Sequence, residues 1–228
     1  GRDGMDAIKE ILARIYGPTD GEDAFKRILP VIERFPAEAS AKKAFFSQED
    51  AYLITYGDTL LTPDQKPLAT MAHFAVTYLK GVFSAVHFLP FFPYSSDDGF
   101  SVMDFYTVNP ELGDWTDVAK IAGDFKLMFD YVVNHFSSQG QWFANYLAEK
   151  EGFRDFALEV DPNLDMSMVT RPRSLPLLTE YRKHDGRSVH LWTTFSADQI
   201  DFNFKSLDVL EKMVDVLLFY VRQGAASI

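Results

Sequence analysis
The sequence predicts an α/β protein built on parallel strands of the barrel type. Three observations carry that expectation. Runs of β-branched and aromatic residues alternate with stretches of helical period, the pattern of a parallel sheet with right-handed crossovers. Two of those runs stop abruptly at polar clusters. His87-Phe88-Leu89-Pro90-Phe91-Phe92-Pro93-Tyr94 leads into Asp97-Asp98-Gly99-Phe100, and Asp130-Tyr131-Val132-Val133 ends on Asn134-His135. A parallel barrel strand delivers side chains to the mouth of the barrel in this way. Finally, 228 residues, 47% of them apolar, suffice for a good core, yet they fall short of the roughly 250 that a complete (β/α)8 barrel needs.

Residues 1–50 are expected to form a helical extension. Ile8, Ile11, Leu12 and Ile15 recur at helical spacing, and Phe25, Ile28, Leu29 and Ile32 repeat it, with Pro30 expected to kink the second helix. Gly1 to Gly4, ahead of Met5, read as an expression remnant outside the fold. Residues 51–135 hold three strands and their helices. Tyr52 to Tyr56 is the first strand, closed by Gly57 and Asp58; Val82 to Leu89 is the second and Leu127 to Val133 the third. Between the first two, Thr62-Pro63 and Lys66-Pro67 punctuate a loop before a helix containing Met71, Phe74, Ala75, Tyr78 and Leu79. Between the second and third, a helix capped by Thr116 or Asp117 turns Val118, Ile121 and Ala122 inward.

The rhythm lapses over residues 136–204. A helical piece from Trp142 to Glu149, a loop with Pro162, Pro172 and Pro176, and a β-like Val189 to Thr194 read as a small inserted domain after strand three. A connection of that length is usually functional. Over residues 205–228 the helical period returns with Leu207, Leu210, Val214, Leu217 and Val221, followed by the start of a fourth strand at Gly224 to Ile228.

A formal charge of −11 argues against nucleic acid, because phosphate backbones require clustered Lys and Arg. The absence of cysteine removes disulfides, thiolate metal sites and cysteine nucleophiles, and suits a reducing cytoplasm, the expected location. No apolar run reaches membrane-spanning length. The five histidines are too scattered for a zinc site, and no glycine-rich phosphate loop is present, so neither metal nor cofactor is expected.

Asp97 and Asp98 have the composition of a solvated turn, but their place after a barrel strand favours a site. An ionised carboxylate there accepts two hydroxyl hydrogen bonds, which is what holding a glucosyl unit requires. Phe100 would wall the C–H face of the sugar or simply pack in the core, and His135 would donate to a hydroxyl. Asp130, within the third strand, is expected to be a buried paired group that braces the site. In the insertion, Arg171-Pro172-Arg173 is either surface or a stiffened fork for phosphate or carboxylate. Trp192, Phe195 and Gln199 either seal the insertion to the barrel or line a sugar pocket.

Ile54-Thr55-Tyr56-Gly57-Asp58, Leu89-Pro90-Phe91-Phe92-Pro93, Asp98-Gly99-Phe100-Ser101-Val102-Met103-Asp104 and Asp130-Tyr131-Val132-Val133-Asn134-His135, in that order, resemble the α-amylase superfamily, glycoside hydrolase family 13. Thr170 to Leu178 and Leu191 to Asp201 are similar to the sucrose phosphorylase group, on the branch of glucosylglycerate and sucrose 6-phosphate phosphorylases. The resemblance implies the first half of a (β/α)8 barrel and a retaining enzyme that moves glucosyl from an α-glucoside to phosphate. It implies that Asp97 and His135 bind the glucosyl unit, with Asp98 replacing Asp97 if the loop shifts by one. Phe100 becomes an aromatic wall, Phe195 and Gln199 pocket lining, and Arg173 an arginine on the acceptor side. The nucleophile, acid/base and transition-state-stabilising carboxylates are expected beyond Ile228, so no catalytic residue is assigned in this chain and the chain alone is expected to be inactive. Its partners would be an α-glucoside and phosphate, with self-association through an uncovered sheet edge. A hydrolase or transglucosidase of the same fold, and a sugar-binding module without turnover, are the alternatives.

Overall fold
The computed structural model describes residues 2–35 and 46–228; the part of the expected extension at 36–45 lies outside the described residues. Four parallel strands form the sheet: β1 (Tyr52–Thr55), β2 (Ala85–Phe88), β3 (Lys126–Phe129) and, later in the chain, β8 (Ala225–Ser227), side by side in that order. Their crossovers are α3 (Pro67–Phe74), which continues into a wider helical turn at Ala75–Leu79, α4 (Trp115–Ala122) and α6 (Leu207–Arg222). This is the arrangement of the first four strands of a (β/α)8 barrel.

The helices bury the faces their period predicts. Leu68, Met71 and Ala75, Val118 and Ile121, and Val209, Met213, Val216 and Tyr220 close over Phe88, Leu127 and Phe129. Aromatic rings lock this layer. Phe129 meets Phe91 edge-on at 5.1 Å, and Phe92 stacks on Tyr220 at 5.0 Å. Helices α1 (Arg2–Tyr16) and α2 (Pro18–Glu33) pack by Leu12, Phe25 and Ile28 against Leu207, Leu210 and Val214 of α6. Gly21 permits their close crossing, since a Cβ there would lie 2.6 Å from Ala13 Cα. Arg27 ties α2 to α6 by donating to Asp208 and Glu211, each at 2.6 Å.

Several boundaries differ from expectation. Arg2 to Gly4, set aside as a remnant, form the first turn of α1, and α2 runs on through Pro30 to Glu33. Helix α4 is capped by Asp114, not Thr116 or Asp117. The Asp114 carboxylate accepts from Thr116 N at 2.8 Å, and Asp117 reaches back to accept from Asp114 N at 3.0 Å, so both ends of a capping box are satisfied. The third strand stops at Phe129, so Asp130 lies just past it. Its Oδ1 lies 3.2 Å from His87 Nε2, a lateral tie between the ends of β2 and β3.

The chain between β3 and α6 carries α5 (Gln141–Leu147) and four further strands. β5 (Leu178–Arg182) and β6 (Ser188–Trp192) form a hairpin, while β4 (His135–Ser137) and β7 (Gln199–Asp201) pair antiparallel. Of these four strands, only β6 corresponds to a run read from the sequence. The β4–β7 pair closes the base of the whole excursion, and it positions the site.

Candidate sugar-binding site
In the β4–β7 ladder His135 faces Asp201, Phe136 faces Ile200 and Ser137 faces Gln199. Because side chains alternate across a strand, His135, Ser137, Gln199 and Asp201 share one face, while Phe136 and Ile200 are buried on the other. The polar-apolar-polar order of both triplets was the available signal for this ladder.

Against that face comes the loop after β2. Ser96, Asp97, Asp98 and Gly99 form a tight turn in which Asp97 (φ 58°) and Asp98 (φ 50°) both adopt left-handed backbone. Gly99 follows at φ 107°, and a Cβ there would lie 2.8 Å from the Pro90 carbonyl oxygen, so the turn seats on Pro90 only with glycine. This conformation brings Asp97 to Gln199, whose Nε2 donates to Asp97 Oδ2 at 2.9 Å. Ser196 Oγ donates to Gln199 Oε1 at 2.7 Å and fixes the amide's orientation.

His135 is 5% exposed, and its Nε2 lies 2.9 Å from the Phe100 carbonyl. A carbonyl oxygen only accepts, so Nε2 carries the proton; the Gln199 amide nitrogen, 3.0 Å from the same atom, abuts it without a bond to accept. Burial pushes the His135 pKa down, outweighing the Phe100 carbonyl and the charges of Asp201 and Asp97. The imidazole is therefore neutral, and its buried Nδ1 is a lone-pair acceptor without a partner among the described residues. Phe195, 48% exposed, sets its ring 5.0 Å from the His135 ring and offers an open aromatic face.

Asp97, Phe100, His135, Phe195 and Gln199 thus come together. Phe100 does so through its backbone, and its half-buried ring packs against the core. Asp98 points elsewhere, into a separate hollow of about 280 Å3 with Tyr56, Asp58, Tyr94 and Glu111. Arg173 is turned to its own loop: Nη2 donates to the Pro176 carbonyl at 2.5 Å and to Thr193 Oγ1 at 3.1 Å, and its buried Nε has no partner among the described residues. Asp201, which the sequence reading missed as a site group, feels both His135 and Arg173. Burial raises its pKa in spite of hydrogen bonds from the Thr194 side chain and backbone and the attraction of those two groups.

The depressed His135 pKa has a measurable consequence. Below the ordinary histidine pKa the unfolded chain takes up a proton that the folded site resists, so stability contributed by His135 is present above that value and is lost as pH falls through the folded pKa. Between about pH 7.5 and about pH 5.5 the thermal midpoint is expected to fall, and to fall less in His135→Gln. Identical pH slopes for the two proteins would show that His135 is not the group resisting protonation. The raised Asp201 pKa acts oppositely: protonating that carboxyl relieves its burial, so its contribution is present below the ordinary carboxylate pKa and is lost as pH rises through the folded one.

Four parallel strands in barrel order, with a carboxylate, a histidine, an amide and an exposed aromatic gathered beyond their ends, are the build of a (β/α)8 barrel domain with its polar groups at the mouth. The alpha-amylase catalytic domain model matches residues 75–227, and the chain belongs to that family. Glucosylglycerate phosphorylase from Spirochaeta thermophila is 45% identical over 98% of this chain and 39% of its own length. That from Escherichia coli is 46% identical over 96% of this chain and again 39% of its own. Among solved structures, sucrose 6F-phosphate phosphorylase from Thermoanaerobacter thermosaccharolyticum superposes with a TM-score of 0.71 at 26% identity, covering 82% of this chain and 40% of that one. The α-amylase from H. orenii, at 19% identity and a TM-score of 0.64 over 80% of this chain and 40% of that one, shares the fold. The chain therefore spans about two-fifths of the length of the relatives it matches. Among the described residues, no helix is long and apolar enough to cross a membrane.

Proposed function
We propose that this chain supplies the glucosyl-binding part of a retaining glucoside phosphorylase that moves glucosyl from a sucrose-like or glucosylglycerate-like α-glucoside to phosphate, giving α-glucose 1-phosphate. The observation that carries the reading is the cluster of Asp97, Gln199 and His135 beside the open ring of Phe195. One Asp97 oxygen is held by Gln199, which aims the carboxylate, and its remaining lone pairs accept sugar hydroxyls. His135 Nδ1, an acceptor without a partner among the described residues, takes another hydroxyl, while Phe195 covers an apolar sugar face. Similarity to glucosylglycerate and sucrose phosphorylases supports phosphate as the acceptor.

Retention requires two closely spaced carboxyl groups, one the nucleophile that carries the glucosyl unit, the other protonating the leaving group as the glucosyl-enzyme forms and assisting the incoming acceptor as it breaks. The reading places them past Ile228, so the 228-residue chain by itself is expected to bind sugar without turnover. In the whole gene product, glucose 1-phosphate should be released from glucosylglycerate or sucrose when phosphate is supplied. Release of free glucose at the same rate with and without phosphate would overturn the assignment in favour of hydrolysis.

Arg173 is proposed as the group that meets phosphate or an anionic acceptor. Arg173→Ala is expected to raise the phosphate KM about tenfold, the loss of a charge-assisted hydrogen bond, with a smaller effect on glucosyl transfer to the enzyme. Arg173→Lys should also be impaired, since lysine keeps the charge and loses the planar fork. A phosphate KM unchanged in both variants would reduce Arg173 to the brace of its own loop.

A further inference from the structure
Asp198, the residue before β7, gathers three hydroxyls on one carboxylate. Ser95 Oγ and Ser96 Oγ donate to its Oδ2, each at 2.5 Å, and Ser138 Oγ donates to Oδ1 at 2.6 Å. Its backbone is held as well: its carbonyl accepts from Ser138 N at 2.9 Å and from Ser101 Oγ at 3.3 Å. Ser95 extends the network to β4, with Ser137 Oγ 2.5 Å from its own Oγ. A carboxylate has acceptors only, so it fixes the direction of every hydroxyl around it. The donors come from two distant segments, the loop after β2 and the end of β4, which Asp198 joins to the start of β7. Burial opposes its charge, but the hydroxyls of Ser138, Ser95 and Ser96 prevail and hold its pKa below the usual carboxylate range.

Ser95 and Ser96 lead directly into Asp97 and Asp98, two consecutive non-glycine residues in left-handed backbone, a conformation Asp tolerates better than most but seldom adopts twice in a row. Asp198 grips the backbone approach to Asp97, while the next residue, Gln199, grips its carboxylate. Two consecutive residues thus hold one group by its two ends.

We propose that Asp198 is a positioning residue of the sugar pocket, holding the Ser95–Ser96 segment so that the Asp97 carboxylate stays on Gln199 beside His135. It touches no sugar itself. The inference rests on the reading of Asp97 as a glucosyl-binding group.

The test uses the whole gene product. In Asp198→Ala the hydrogen-bonded amides of Ser95, Phe100 and Ser101 should lose protection from hydrogen exchange, while those of α6 keep theirs. The KM for the glucosyl donor should rise about tenfold, with kcat changed less. In an Asp97→Asn background the same substitution should add less than about twofold, because the group it positions is already disabled. Fully additive effects would overturn the proposal, as would unchanged exchange over residues 95–101. Should Asp198→Ala fail to fold, the Ser96→Ala/Ser138→Ala double variant removes two of the three donors and is read by the same criteria. If the wild-type protein transfers no glucosyl at all, the functional reading fails. The exchange arm still decides whether Asp198 holds the loop.

Discussion

Asp97→Asn in the whole gene product is expected to lower kcat/KM for glucosyl transfer by about a hundredfold or more, while Asp98→Asn costs no more than a few-fold. The magnitude follows from the acceptor count. An ionised Asp97 offers lone pairs on two oxygens, one of them already aimed by Gln199, and charge-assisted hydrogen bonds to sugar hydroxyls contribute about 1.5–3 kcal/mol each. Asparagine replaces one oxygen with a donor, which repels the Gln199 amide and loses the charge. Two such bonds weakened together correspond to about two decades or more in rate. Asp98, one residue on and also acidic, opens into a different hollow and contacts neither His135 nor Gln199. The comparison therefore separates geometry from composition. If Asp98→Asn were the more damaging of the two, the loop would be shifted by one residue in the working enzyme and the pocket would be misassigned.

Phe129→Ala is expected to destabilise the protein by about 3–5 kcal/mol, and Phe129→Leu by about 1–1.5 kcal/mol. Phe129 is fully buried in β3, between β2 and β8, with its ring against Phe91, Trp115 and Tyr220. Truncation to alanine removes apolar area and leaves a cavity that neither the strand nor the flanking helices α4 and α6 can close, because each is fixed by its own contacts. A stability of roughly 5–15 kcal/mol for a typical domain makes this a large fraction of the whole. Urea unfolding of the three proteins measures it. A cost below about 1 kcal/mol for alanine would mean that Phe129 does not sit at the sheet centre.

The alternation of strand and helix was legible because the buried parallel strands and amphipathic helices carry strong periods, as in Ala85–Phe88 and Leu207–Arg222. That Asp97 and Gln199 meet was foreshadowed by the place of Asp97 after a strand and by the family likeness around Gln199. What escaped were features made by distant partners. The β4–β7 ladder joins three-residue strands far apart in sequence, whose polar-apolar-polar order is too brief to pair them, and the raised pKa of Asp201 is set by burial against Thr194, His135 and Arg173 together. The β5–β6 hairpin did leave a local mark, Asp185-Gly186, with Gly186 at φ 88° in its turn. The cap at Asp114 was missed because the capping box needs both Asp114 and Asp117, and either alone is an ordinary turn residue.

The short ladder between His135–Ser137 and Gln199–Asp201 also divides the labour of the chain. It pinches the two ends of the long excursion together, while Phe143, Tyr146, Phe156 and Leu191 inside the excursion are buried in the core. The ladder sets the separation of His135 and Gln199 locally, by its own register, and not through the exposed loop that carries Arg171 to Leu175. Under the proposed reading, a change on the side where Arg173 lies would alter the acceptor contact and leave the proposed glucosyl contacts of Asp97 and His135 in place.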